Sequence, residues 1–135
     1  YYLPDSALVF TADSLMALGC GRLFEGTADQ MWDSLSRLAA LPPDTTVCSG
    51  HEYTAANARF ALTIEPGNAA LTSRHETVMT ARSNHLPTVP SLLADELATN
   101  PFLRAGEASV KVALGMETAT DAEVFAEIRR RKDSF

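Results

Sequence analysis

Thr45-Thr46-Val47-Cys48-Ser49 is a short β-branched and apolar run, closed by Gly50-His51-Glu52. A run of this length bounded by turn residues predicts a buried strand. Before it the chain alternates strand and helix; after it the pattern is helical. Ala7-Leu8-Val9-Phe10-Thr11 predicts an earlier buried strand that follows the Pro4-Asp5-Ser6 turn and ends at Ala12-Asp13. The expected architecture is therefore α+β, with an α/β portion over 1–51 joined near Gly50 to Glu52 to an all-helical portion over 52–135.

Between the two strands, a loop with Gly19, Gly21 and Gly26 carries Cys20, Arg22, Phe24 and Glu25. Thr27-Ala28-Asp29-Gln30 is a capping box, in which side chains at both ends of the first turn satisfy free backbone N–H groups. Met31, Leu35 and Leu38 then recur at helical spacing and lay down one apolar stripe, with Trp32 packing beside it. Pro42-Pro43-Asp44 stops that helix. Further on, the sequence predicts helices over 52–65 and 69–83. Ser91 is read as the cap of a short helix carrying Leu92, Leu93 and Leu97, broken at Asn100-Pro101. A last helix opens with the capping box Thr120-Asp121-Ala122-Glu123 and buries Val124, Phe125 and Ile128.

The 135 residues are 46% apolar and 21% charged, a globular composition that excludes a disordered or collagen-like chain. No apolar run approaches the roughly 18 residues of a membrane span. Eleven basic residues against seventeen acidic ones give a net charge of −6, which argues against nucleic-acid binding. Arg129, Arg130, Arg131 and Lys132 are consecutive. Such a run is either a solvated helix end or a cationic dock for a carboxylate ligand. Cys20 and Cys48 form no CxxC motif, so both are read as buried thiols of a protein in a reducing cytoplasm.

Two expected strand ends carry polar residues that a core would not need, Asp13 and His51. A carboxylate and an imidazole suit zinc, iron or manganese, yet a catalytic site needs at least three ligands. Asp13 as a turn or cap residue stands as the alternative. His75 and His85 are read as surface residues.

Several segments together are specific. Phe10-Thr11-Ala12-Asp13-Ser14-Leu15, Gly19-Cys20-Gly21-Arg22-Leu23-Phe24-Glu25-Gly26-Thr27, Ser49-Gly50-His51-Glu52-Tyr53-Thr54, Ala98-Thr99-Asn100-Pro101-Phe102-Leu103-Arg104 and the basic end 129–135 resemble the glyoxalase II family, the hydroxyacylglutathione hydrolases of the metallo-β-lactamase superfamily. The resemblance implies part of a metallo-β-lactamase-like αββα sandwich followed by a helical glutathione-binding domain. It implies hydrolysis of S-acylglutathione thioesters, typically S-lactoylglutathione, by hydroxide held at a pair of divalent metal ions, zinc first and iron or manganese as alternatives. Asp13 falls on the carboxylate that bridges the two ions and His51 on a ligand of the second. Arg22, Phe24, Tyr53, Arg129 and Lys132 fall on substrate-contacting positions, while Arg130 and Arg131 are expected to face solvent. The implied protein is a cytoplasmic monomer acting on a small molecule, without nucleic-acid or membrane partners.

The family's HxHxDH segment, source of most ligands of the first ion, does not occur in this sequence. The chain begins without Met in what reads as mid-strand, so it is expected to be the C-terminal part of a longer enzyme and inactive on its own. Ala12 replaces a glycine usual before the aspartate, and Phe24 stands where some members have tyrosine. A glutathione persulfide dioxygenase, another superfamily relative, or an inactive glutathione-binding or structural fragment are the alternatives.

Overall fold

In the computed structural model, which describes residues 1–135, Val9 and Val47 stand opposite each other in a parallel strand pair, β2 (Leu8–Ala12) and β5 (Thr46–Ser49). β1 (Tyr2–Leu3) adds antiparallel to β2, and β6 (Ser91–Leu92) antiparallel to β5, giving the order β1-β2-β5-β6. A separate hairpin pairs β3 (Leu15–Met16) with β4 (Gly19–Cys20). Parallel strands need a crossover, and α1 (Ala28–Ala39) provides it. The remaining helices are α2 (Thr54–Ile64), α3 (Ala69–Ser83), α4 (Leu93–Thr99), α5 (Ala108–Leu114) and α6 (Asp121–Asp133).

Strand alternation divides the sheet into two faces. Val9 and Val47 point into a core of 14 buried residues that also takes Leu35 from α1, Phe60 from α2, and Val124, Phe125 and Ile128 from α6. On the other face Leu3 pairs with Leu8, Leu8 with Thr46, and Thr46 with Leu92. Leu3, Phe10 and Leu92 are exposed there, with Phe10 48% accessible. The sheet thus has one packed face and one bare apolar face. No helix is long and apolar enough to cross a membrane.

Both capping boxes form, at Thr27 with Gln30 and at Thr120 with Glu123. The α1 stripe buries Leu35 and packs Met31 and Leu38 against the core, and the Trp32 ring lies 6.0 Å from that of Phe125.

Four local expectations are corrected. Gly19 and Cys20 belong to a strand, because the hairpin turn is held by side chains far along the chain that no local pattern reveals. Ser91 caps nothing: it pairs with Val47 as part of β6, and Leu92 is the residue that precedes α4. β6 is thus a two-residue strand within the otherwise helical stretch 52–135, and the core draws side chains from both sides of Glu52. A helix at Ala108–Leu114 also went unforeseen; its seven residues give too short a period to stand out. Cys48, finally, is half-buried, since it lies on the bare face of the sheet opposite Phe10.

Candidate functional site

Because β2 and β5 are parallel neighbours, their C-terminal ends reach the same edge, where Asp13 and His51 emerge. The Gly50 amide donates to the Ala12 carbonyl at 2.9 Å and ties the two ends together. Asp13 Oδ1 stands 3.1 Å from His51 Nε2. Glycine is required twice beside this pair. A Cβ at Gly50 would lie 2.8 Å from Asp13 Oδ1, and one at Gly21 would collide with the Asp13 carbonyl oxygen. Ala12 holds φ at 46°, a left-handed conformation that a methyl-bearing residue adopts at some cost. That backbone requirement explains why glycine suits this position.

The pair opens on a cavity of about 760 Å³ that all seven expected site residues reach: Asp13, Arg22, Phe24, His51, Tyr53, Arg129 and Lys132. The Tyr53 ring stacks on His51, with centroids 4.8 Å apart and planes 7° from parallel. Phe24 is exposed at the rim. His75 and His85 do not line the cavity; His85 is exposed and His75 half-buried.

The basic residues differ in their surroundings. Arg129 is only 5% accessible, and most of its donors are committed. Its Nη1 donates to the Cys20 carbonyl at 2.8 Å, while Nε and Nη2 donate to Asp133 Oδ1 at 3.1 and 2.8 Å. The Lys132 ammonium makes no hydrogen bond or ion pair within the chain; its Nζ lies 5.6 and 5.5 Å from the ring centroids of Phe60 and Phe135. Burial, and then the positive charges of Arg129 and Arg22, hold its ammonium below the usual lysine range. Arg22 is exposed, with Nε 4.0 Å from Asp133 Oδ1. Arg130 and Arg131 both pair with Glu127 and stay out of the cavity.

Cys20 lines the cavity as well, but burial pushes its thiol up to about 12 despite the opposing influence of Arg129. A thiol this basic is protonated at neutral pH and is no nucleophile.

Asp13 and His51 fit part of a metal shell. Two ligands at about 2.0–2.2 Å from one ion stand roughly 2.8–3.6 Å apart at angles from 90° to tetrahedral, a range that includes the 3.1 Å separation, which is also an ordinary ion-pair distance. Oxygen and imidazole nitrogen suit zinc, iron and manganese. No group of three or more His, Cys, Asp and Glu side chains gathers in the chain. Two such groups alone do not make a metal site.

Asn57 was not among the expected site residues. It lines the cavity and its Nδ2 donates to the Ala17 carbonyl at 3.1 Å. Its position four residues after Tyr53 on a helical pattern was the available signal.

The fold is α+β, with six helices around small sheets. Comparison with known proteins places the chain more closely: the family model described as "Hydroxyacylglutathione hydrolase C-terminus" matches residues 52–135, and the chain belongs to that family. Among similar proteins, the hydroxyacylglutathione hydrolase of Cereibacter sphaeroides is 66% identical over 135 residues, all of this chain and 53% of the relative. Those of Roseobacter denitrificans and Rhizobium meliloti are 69% and 58% identical, again over 135 residues, 100% of this chain and 53% of each relative. The chain thus spans about half the length of the curated relatives it matches.

Proposed function

We propose that the protein carrying this chain hydrolyses S-acylglutathione thioesters, with S-lactoylglutathione as the representative substrate, to a hydroxy acid and glutathione. The observation that carries this reading is the presence of Arg22, Arg129 and Lys132 on the wall of the cavity that also holds the Asp13–His51 pair. Glutathione is a carboxylate-bearing peptide. Lys132 is the cation best suited to grip it, because its ammonium lacks an anionic partner and is held there against its preference. Arg22 reaches the peptide from the loop after β4. Arg129 adds positive charge and holds the Cys20–Gly21 backbone in place. Tyr53 and Phe24 offer ring surface at the rim, and Tyr53 a hydroxyl.

Asp13 and His51 would hold part of a pair of divalent ions, zinc first and iron or manganese as alternatives. The other ligands would be supplied from outside residues 1–135. When bound, such ions supply a nucleophile from water near neutral pH and polarise the thioester carbonyl. The leaving thiolate needs little help from an acid.

The bare apolar face of Leu3, Leu8, Phe10 and Leu92 supports a metallo-β-lactamase-like αββα sandwich, in which a second sheet covers it. In that arrangement residues 1–51 complete the catalytic domain and 52–135 form the glutathione-binding domain. Two free thiols suit a reducing, cytoplasmic setting, and the proposed enzyme is a monomer there.

Turnover of S-lactoylglutathione by the intact protein tests the reading, alongside oxygen uptake on glutathione persulfide. Hydrolysis without oxygen uptake is the expected result; oxygen uptake without hydrolysis overturns it. Residues 1–135 alone should show no turnover above a metal-only control.

A further inference from the structure

The turn of the β3–β4 hairpin is gripped by side chains from much later in the chain. Asn100 Nδ2 donates to the carbonyls of Met16 and Gly19, each at 3.1 Å. Asn57 Nδ2 donates to that of Ala17. The Leu18 amide donates to Glu96 Oε2 at 2.9 Å. All four turn residues are thus held by a polar side chain from α2, α4 or the residue after α4. Leu18 is fully buried with φ at 58°, a conformation that persists in a leucine only where its surroundings over-determine it.

Glu96 is itself 0% accessible. Besides Leu18 it accepts from Asn100 Nδ2 at 3.0 Å and from Arg74 Nη2 at 2.5 Å. Every group facing this carboxylate is a donor. Arg74 in turn donates to Thr99 Oγ1 at 2.8 Å. A buried ion pair is a poor source of net stability, because apolar replacements of similar volume often do as well. Its use here lies in what it holds.

The open end of the same hairpin carries the site. Asp13 lies just before β3 and Arg22 just after β4, and Gly21 packs so close to the Asp13 carbonyl that no Cβ fits. The hairpin therefore sets one site residue against the other.

We propose that Glu96 and Asn100 are positioning residues: by fixing the hairpin turn they set the placement of Asp13 and Arg22 in the cavity. The kinetic consequence rests on the thioester-hydrolase reading above; the mechanical one does not.

The test compares Glu96→Gln, Asn100→Ala and the control Val78→Ala in the intact protein. Val78 is buried on α3, away from the cavity. Glu96→Gln turns an amide N–H toward a cluster of donors. Asn100→Ala leaves the Glu96–Arg74 pair intact and reads the same quantities if the first variant does not fold. Backbone amides of 18–22 are expected to exchange with solvent about tenfold faster in both variants, the size of one lost buried hydrogen bond, while those of α6 keep their rates. The kcat on S-lactoylglutathione is expected to fall at least about tenfold. Val78→Ala, at a comparable loss of Tm, should change neither hairpin exchange nor kcat. Wild-type exchange at 18–22 in both variants overturns the proposal, as does an equal kcat loss in Val78→Ala. If the wild-type protein does not turn over S-lactoylglutathione, the functional reading fails and the exchange rates still decide the positioning role.

Discussion

Asp13 Oδ1 and His51 Nε2 lie 3.1 Å apart, each delivered by the end of one of two adjacent parallel strands. Sheet geometry produces this meeting: parallel neighbours finish at one edge, and the Gly50 amide bonded to the Ala12 carbonyl fixes how far each strand extends. The cationic wall then comes from elements far from both, the loop after β4 and helix α6.

Lys132 and Arg129 line one cavity but should behave differently when removed. Lys132→Ala takes away an ammonium with no internal partner, so KM for S-lactoylglutathione should rise about tenfold with kcat and Tm nearly unchanged. Arg129→Ala strips buried donors from the Cys20 carbonyl and Asp133, and should lower stability by about 2–3 kcal/mol. Steady-state kinetics and thermal melts on both variants separate the roles. A Lys132→Ala protein with normal KM and lost kcat would contradict them.

Ala12→Gly should stabilise the protein by about 0.5–1 kcal/mol, because it removes the left-handed strain at φ 46° while giving back part of the gain as unfolded-chain entropy. Chemical denaturation reads the difference. A destabilised Ala12→Gly protein would mean that the methyl group makes a contact worth more than the strain.

The hydrophobic stripe of α1, both capping boxes and the two central strands were legible because each is a local pattern with a fixed period or spacing. Asp13 and His51 stood out as polar residues at strand ends, and the family resemblance supplied their partners in the cavity. The hairpin was not legible. Ala17 and Leu18 carry no turn-forming residue, and their conformation depends on Asn57, Glu96 and Asn100, whose contacts span long stretches of sequence. Nor does the basic run Arg129 to Lys132 disclose its division of labour. Helical spacing points Arg129 inward beneath Phe102 and Lys132 toward the cavity, while Arg130 and Arg131 turn to Glu127.

Cys20 should impose an alkaline limit on stability. Its thiol is raised from 9.0 to about 12 by burial, so above pH 9 the unfolded chain releases a proton that the folded one keeps. The unfolded state then binds fewer protons, and stability falls as pH rises from 9 toward 12, by up to about 1.4 kcal/mol per pH unit. Cys20→Ala should flatten that limb in denaturation curves measured across the window. An identical slope in the variant would show that the thiol titrates freely in the folded protein.

Phe10 tests the sandwich. Although its side chain is 48% accessible, it sits on the bare apolar face beside Leu8 and Leu3, which a second sheet is proposed to cover. Phe10→Asp in the intact protein should therefore cost about 2 kcal/mol or more. A loss below about 0.5 kcal/mol, typical of a surface substitution, would mean that the face meets water.

The most direct test of the account is elemental analysis of the purified intact protein, wild type beside Asp13→Ala and His51→Ala. Close to two tightly held transition-metal ions per chain are expected in the wild type, with marked loss in both variants. Wild-type protein free of such ions, or variants that retain them in full, would contradict it.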